Sequence, residues 1–163
     1  MNIFKPGLYI VSTPIGNLDD ITLRSLEVLK KSDIILCEDT RRSLKLLNHY
    51  KIKKKLVPYH KFNEQKELVK VIEYLNEGKI LSLISDAGTP TLSDPGLLLV
   101  KTCLERKIKI FPIPGPSSIT AATSVSGFDD KFLFYGFLPK TENKLISCLL
   151  YTSDPGDDSL RVN

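Results

Sequence analysis

A chain of 163 residues with 42% hydrophobic and 26% charged residues is long enough for one globular domain with a real core, too short for two comfortable ones, and too apolar to be disordered throughout. No apolar run approaches the ~20 residues that cross a bilayer, and the amino terminus lacks the succession of a secretory signal, so a cytoplasmic protein without membrane contact is expected. The net charge of +4 is uneven: two basic and four acidic residues lie from Thr141 onward, leaving 21 against 15, or +6, before it, a balance compatible with a nucleic-acid partner without requiring one.

The elements follow in chain order. Leu8 to Val11 reads as a short buried strand ending at Ser12-Thr13-Pro14-Ile15-Gly16-Asn17. Asp20 is expected to cap a helix from Ile21 to Lys31, with Ile21, Val28 and Leu29 inward and Lys30-Lys31 at the favourable end of its dipole. A second strand, Ile34 to Cys37, opens into Glu38-Asp39-Thr40-Arg41-Arg42 and a helix carrying Leu44, Leu46 and Leu47. Leu56-Val57 forms a third strand. Asn63 then caps a helix with Leu68, Val71, Ile72 and Leu75 at helical spacing, which Gly78 stops.

Ile80 to Ile84 supplies a fourth strand, which empties into the polar elbow Ser85 to Gly96. Gly88 allows close approach there, and Asp94-Pro95 reads as an N-cap with proline at the first helical position, starting a helix through Leu98, Leu99 and Leu104. A fifth strand, Lys109 to Phe111, leads through Pro112 to Ser118 into a small-residue helix, Ile119 to Val125. Phe132 to Phe137 either adds a strand or begins a linker. Five strands alternating with helices predict an α/β fold, a parallel five-stranded sheet flanked by helices with right-handed crossovers.

In such a sheet the loops Thr13 to Asn17, Ser85 to Gly96 and Pro112 to Ser118 converge at the carboxyl edge, where open α/β folds bind ligands. Their glycines, prolines and small hydroxyl residues expose backbone donors and acceptors. Neither G-x-G-x-x-G nor the P-loop pattern occurs. With His49 and His60 as the sole histidines, a metal hydrolase or a Ser-His-Asp enzyme is disfavoured, and no metal is expected. Cys37, Cys103 and Cys148 lack a C-x-x-C pair, so neither a disulfide framework nor a zinc site is suggested; Cys37 and Cys103 read as buried thiols.

Thr13-Pro14-Ile15-Gly16-Asn17-Leu18, Glu38-Asp39-Thr40-Arg41, Ser85-Asp86-Ala87-Gly88-Thr89-Pro90, Asp94-Pro95-Gly96, Pro114-Gly115-Pro116-Ser117 and Gly136-Phe137-Leu138-Pro139 closely resemble, in order, the motifs of the small-subunit ribosomal RNA methyltransferase I family of the tetrapyrrole methylase superfamily. The resemblance implies S-adenosyl-L-methionine as cofactor and methylation of the ribose 2′-oxygen of a cytidine in the decoding region of 16S rRNA. Carried over by position, it implies a cofactor pocket in which Pro14, Ile15 and Gly16 line one side. Asp86, Ala87, Gly88, Thr89 and Leu92 surround the methionine portion, and Ser117 and Ser118 follow the Pro-Gly motif.

Removing a proton from a poorly acidic hydroxyl calls for a base or an orienting group. Asp39 is the candidate and Glu38 its competitor, although either carboxylate could instead pair with Arg41 or Arg42 or cap the next helix. Asp86 could equally fix its own loop through an Asx turn. Arg41, Arg42, Lys45, Lys51, Lys53, Lys54, Lys55, His60 and Lys61 form a basic cluster suited to RNA phosphates, or simply a solvated face. Arg41 and His60, which fall in family patterns, are the expected substrate contacts.

The family resemblance also implies a homodimer and a second α/β domain completing the cleft. Residues 1–140 are expected to be the cofactor-binding amino-terminal domain without that partner, and residues 141–163 a truncated linker and tail. From Cys148-Leu149-Leu150-Tyr151-Thr152-Ser153 the chain resembles a translated sequencing adapter, so the stretch to Asn163 reads as non-native. A porphyrin-precursor C-methyltransferase is the alternative enzyme, disfavoured because Ser12-Thr13-Pro14-Ile15-Gly16-Asn17 replaces that branch's G-x-G-P-G-D; a non-catalytic cofactor-binding module is the other alternative.

Overall fold

The computed structural model describes residues 4–127 and 132–152. Five strands, β1 (Gly7–Val11), β2 (Ile34–Cys37), β3 (Lys55–Pro58), β4 (Ile80–Ile84) and β5 (Ile110–Ile113), form one sheet in the order β3-β2-β4-β1-β5, with every pairing parallel. The helices are α1 (Leu23–Lys31), α2 (Thr40–His49), α3 (Glu64–Asn76), α4 (Leu97–Glu105), α5 (Ser118–Ser126) and α6 (Glu142–Thr152). The expected parallel α/β sheet is what the chain forms.

The three central strands β1, β2 and β4 are buried on both faces, so their side chains alternate between two cores rather than between core and water. Tyr9, Val11, Ile35 and Cys37 face one layer with Val28 and Leu29 of α1 and Leu46 and Leu47 of α2. Leu8, Ile34, Leu36, Leu81 and Leu83 face the other with Val71, Ile72 and Leu75 of α3 and Leu99 and Cys103 of α4. Cys37 and Cys103 are buried free thiols, as expected. The neighbouring strands β1 and β4 thus send their chains to opposite faces, which opens the carboxyl edge between them.

Several boundaries differ from the sequence reading. The cap of α1 is Thr22, whose hydroxyl accepts from the Ser25 N–H at 3.0 Å. Asp20 is instead held in a 3-10 turn, Leu18–Asp20, closed by the Ile21 N–H on Leu18 O at 3.3 Å. Asp94 and Pro95 do not begin α4. Ser93 at φ 62° and Gly96 at φ 117° interrupt the right-handed path, and the helix starts at Leu97 after a left-handed Gly96.

Asn63 precedes α3 but makes no side-chain cap bond; its amide is occupied elsewhere, as described below. Pro112 lies inside β5. An edge strand tolerates a residue that cannot donate, and its carbonyl accepts from Arg24 Nη2 at 3.2 Å. The chain divides into units of residues 1–130 and 131–163. In the second, residues 132–140 form no strand and α6 is its helix; residues 153–163 of the expected tail lie outside the described residues.

Candidate functional site

At the carboxyl edge the loops after β1, β4 and β5 meet. Thr13 and Gly88 form an isolated antiparallel bridge, each donating its N–H to the other's carbonyl at 2.9 and 3.0 Å. The Thr13 hydroxyl donates to Ser85 O at 3.1 Å, and the Ser12 and Thr89 hydroxyls share a hydrogen bond of 2.9 Å. Ser12, Thr13 and Ser85 are all buried; the Ser12 and Thr13 hydroxyls knit the two loops together from below, while the Ser85 hydroxyl donates within its own loop to Ala87 O and Gly88 O. The loop after β5 closes in as well. A Cβ on Gly115 would stand 2.9 Å from the Ser12 Cβ, and one on Gly88, at φ +80°, would touch Ile15 and approach Pro116 O.

The elbow Ser85 to Gly96 is held in unusual backbone. Thr91 and Ser93, neither a glycine, lie at φ 74° and 62°. A β-branched residue there is a genuine outlier, and each such residue costs ~1–3 kcal/mol that the surrounding structure must offset. Strain of this kind concentrates where a loop must present its backbone in a fixed shape. An open cleft of about 530 Å³ runs between Ile15, Asp20 and Thr22 on one side and Gly115 to Ser117, Thr120, Ala121 and Ser124 on the other.

Beside this, the carboxyl ends of β2 and β4, where Cys37 and Ile84 are register partners, gather acidic groups. Asp39 is the N-cap of α2. Its carboxylate accepts from the Arg41 N–H at 2.8 Å and faces the Arg41 guanidinium at 3.4 Å. The Arg41 amide bond and then that guanidinium hold its carboxyl below the usual range. Asp86 makes no Asx turn; one oxygen accepts from the Asp39 N–H at 3.2 Å and the other faces Arg42 at 3.4 Å, tying the β4 loop to α2.

Glu38 lies on the opposite course. Burial first, then the neighbouring Asp86 and Asp94, push its carboxyl upward, partly offset by His60 and Arg42. Asp94 is raised by burial and by Asp86, against a hydrogen bond from Ser85. Glu38 and Asp94 both line a cleft of about 330 Å³, together with Lys61, Glu64 and Ser93 to Leu97.

The residues singled out from sequence thus fall into two groups. Pro14 and Gly88 are buried, whereas Ile15, Gly16, Ala87 and Leu92 are exposed and Asp86 and Thr89 half-buried, all on the knitted loops. Ser117 precedes α5 without spending its hydroxyl on a cap, and Ser118 opens that helix. Asp39 and Arg41 sit one strand away, bound to each other. His60 follows β3, and its Nδ1 is buried without a hydrogen-bond partner.

Sequence reasoning overlooked the Ser12 hydroxyl and the Ser85 carbonyl as groups that knit the loops, and Thr91 and Ser93 as left-handed residues. Nothing in a residue name signals either role. Among the described residues no His, Cys, Asp and Glu group is arranged to hold a metal, and no helix is long and apolar enough to cross a membrane.

With this arrangement in view, likeness to known proteins is informative. The curated relatives include the "Ribosomal RNA small subunit methyltransferase I" of Mesomycoplasma conjunctivae, 54% identical over 138 residues, which are 84% of this chain and 58% of that protein. The protein of the same name from Thermotoga maritima is 49% identical over 138 residues, 84% of this chain and 62% of that one. The chain therefore spans about six-tenths of the length of these relatives. Among solved structures, a uroporphyrin-III-C-methyltransferase from Thermus thermophilus superposes with a TM-score of 0.56 at 21% identity, over 85% of this chain and 56% of that one, a likeness of fold alone. The family model described as Tetrapyrrole (Corrin/Porphyrin) Methylases matches residues 7–132, every strand and all three knitted loops included, and with half-identical relatives alongside it the chain belongs to that methylase family.

Proposed function

We propose that this chain is the cofactor-binding portion of an S-adenosyl-L-methionine-dependent methyltransferase acting on 16S rRNA in the small ribosomal subunit, at the ribose 2′-oxygen of a cytidine in the decoding region. The observation that carries this reading is the reciprocal Thr13–Gly88 pairing, which sets two loops as one wall with the β5 loop against it. The donor set suits the ligand. A sulfonium amino acid brings its own amino and carboxylate groups, and backbone amides and small hydroxyls satisfy both without a counter-charge for each.

In this proposal Pro14, Ile15 and Gly16 form one side, Asp86 to Thr89 and Leu92 another, and Ser117 and Ser118 a third. Ser117 supports the assignment because its hydroxyl is left uncommitted at the head of α5. The bound cofactor would supply an electrophilic methyl group.

The two carboxylates after β2 then divide the work on the acceptor. Asp39, kept ionised by the Arg41 amide and guanidinium, hydrogen-bonds and orients the ribose hydroxyl. Glu38, whose carboxyl is raised by burial and by Asp86 and Asp94, is in its ionised form the stronger base of the two and takes up the proton that the hydroxyl gives up. Arg41 and His60 contact the RNA. In the relatives' full length a homodimer in the cytoplasm is the proposed setting.

Calorimetric titration with S-adenosyl-L-methionine, followed by a tritiated-methyl transfer assay on 30S subunits, tests the reading. Saturable cofactor binding is expected, lost when Gly88 is replaced by a bulky residue. Absence of binding would defeat the pocket, and transfer to a tetrapyrrole precursor in place of RNA would defeat the substrate.

A further inference from the structure

Residues 40–63 contain eight of the chain's 23 lysines and arginines and none of its 19 aspartates and glutamates. The rest of the molecule is therefore net negative, and the basic character is concentrated in the stretch that runs from α2 through the α2–β3 connection and β3 to the turn that follows. On α2 the inward face is Ser43, Leu46 and Leu47. Arg41 and Lys45, one turn apart, occupy the opposite face and are exposed.

The turn after β3 is tied to the same place. The Tyr59 N–H donates to Cys37 O at 2.7 Å, which anchors the turn to the strand from which α2 departs. Asn63 then staples it, accepting from the His60 N–H at 2.8 Å and donating to Pro58 O at 2.9 Å. His60 O accepts the N–H groups of Asn63 and Glu64, both at 3.0 Å. On this fixed turn Phe62 is 94% exposed, the most exposed of the large hydrophobic side chains among the described residues. Its ring meets the edge of His60 at 6.2 Å, and Lys61 beside it is exposed.

An aromatic ring held out in water by a stapled turn, next to the exposed Lys61, which also borders Glu38, Glu64 and Asp94, and closing a segment of eight cations, matches one partner chemistry best. Single-stranded RNA offers a flat π-face to stack and phosphates on either side of it. We propose that the Pro58–Asn63 turn and the outer face of α2 form a contact surface for single-stranded RNA, with Phe62 stacking on an unpaired base while Arg41, Lys45 and Lys61 hold flanking phosphates. This deepens the RNA reading above and rests on it for the choice of RNA over an acidic protein. It places an RNA contact outside the cofactor loops, on exposed side chains.

The test is fluorescence anisotropy of the full chain with a labelled, cytidine-containing single-stranded RNA across a salt series. Phe62→Ala is expected to weaken binding about 5- to 100-fold, by the loss of one stacked base, with the salt dependence unchanged. Phe62→Tyr is expected to restore it. Lys45→Ala with Lys61→Ala should lower the slope of log affinity against log salt by about 0.7 per lost phosphate contact, whereas Lys30→Ala with Lys101→Ala, both exposed positions elsewhere, should leave it alone.

Two results would overturn the surface. One is an affinity that stays within twofold in Phe62→Ala. The other is equal losses from both lysine pairs, the mark of undirected net charge. In the first case, a change in sedimentation of Phe62→Ala would mark a contact between copies of this chain. Because the readout is RNA binding, failure of the proposed methyl transfer registers separately, in the cofactor titration and the transfer assay.

Discussion

Thr13 and Gly88, 75 positions apart in the chain, exchange both backbone hydrogen bonds, at 2.9 and 3.0 Å. That reciprocal pair converts two independent strand-to-helix loops into a single surface. It depends on Gly88 standing at φ +80°, in a region that L side chains occupy at a cost.

Gly88→Ala is expected to fold and to lose about 1–2 kcal/mol in urea denaturation. The added methyl would meet Ile15 at an ordinary 3.5 Å, so the cost is conformational and not steric. Gly115→Ala differs in kind, since its methyl would stand 2.9 Å from the Ser12 Cβ and push the β5 loop off β1. Cofactor affinity should fall further in Gly115→Ala than in Gly88→Ala for a similar loss of stability. Equal affinities in the two variants would show that the β5 loop is no part of the pocket.

Thr91 at φ 74° gives the opposite expectation. Thr91→Gly removes the left-handed penalty and should stabilise the chain, by up to about 1 kcal/mol once the added freedom of the unfolded chain is counted. If the strained elbow is shaped for the cofactor, the same change weakens binding in calorimetry with a larger entropic penalty. Greater stability with unchanged affinity would separate the strain from the site.

The sheet was legible because buried strands have few ways to read. Ile34 to Cys37 and Ile80 to Ile84 are continuous apolar runs bounded by polar loops, and both are strands with those bounds. The errors fall where two residues compete for one local role. Asp20 and Thr22 both suit an N-cap, and the 3-10 turn after Asn17 settles it for Thr22. Asp94-Pro95 has the composition of a helix start, yet the left-handed Ser93 and Gly96 on either side of it come from packing of the elbow, with no local signal for Ser93. The convergence of the three loops followed from strand order, while the hydroxyl bonds beneath them depend on register across 77 positions in the case of Ser12 and Thr89.

Glu38 and Asp94 make stability depend on pH in a defined direction. Burial and like charge raise both carboxyls, so the folded chain keeps protons that the unfolded chain has released just above the ordinary carboxylate range. Stability therefore falls as pH rises through that window. Asp39, lowered chiefly by the Arg41 amide, works the other way at lower pH, where its contribution is lost as the carboxylate is protonated. Melting temperature should accordingly rise as pH falls from neutrality toward the ordinary carboxylate range. Glu38→Gln should be more stable than the parent at the upper end and show a shallower rise, with Asp86, Asp94, His60 and Arg42 left in place. Parallel curves for the two proteins would remove Glu38 from the cluster.

Asn63 links the fold to the RNA surface without touching a ligand in that proposal. Its amide satisfies the His60 N–H at 2.8 Å and the Pro58 carbonyl at 2.9 Å, while α3 draws no side-chain cap from it. Asn63→Ala should therefore leave helical content intact, cost about 1–3 kcal/mol through the stranded, part-buried His60 N–H, and speed hydrogen exchange at the His60 amide. Asn63→Asp keeps the acceptor for His60 but not the donor to Pro58, so its exchange rate should fall between the two. If the turn serves to hold Phe62 in place, RNA affinity follows the same order, because an untethered ring must be ordered again on binding. An affinity that ignores the exchange ranking would mean that Phe62 acts without the staple, and the rigidity of the turn would then belong to the fold alone.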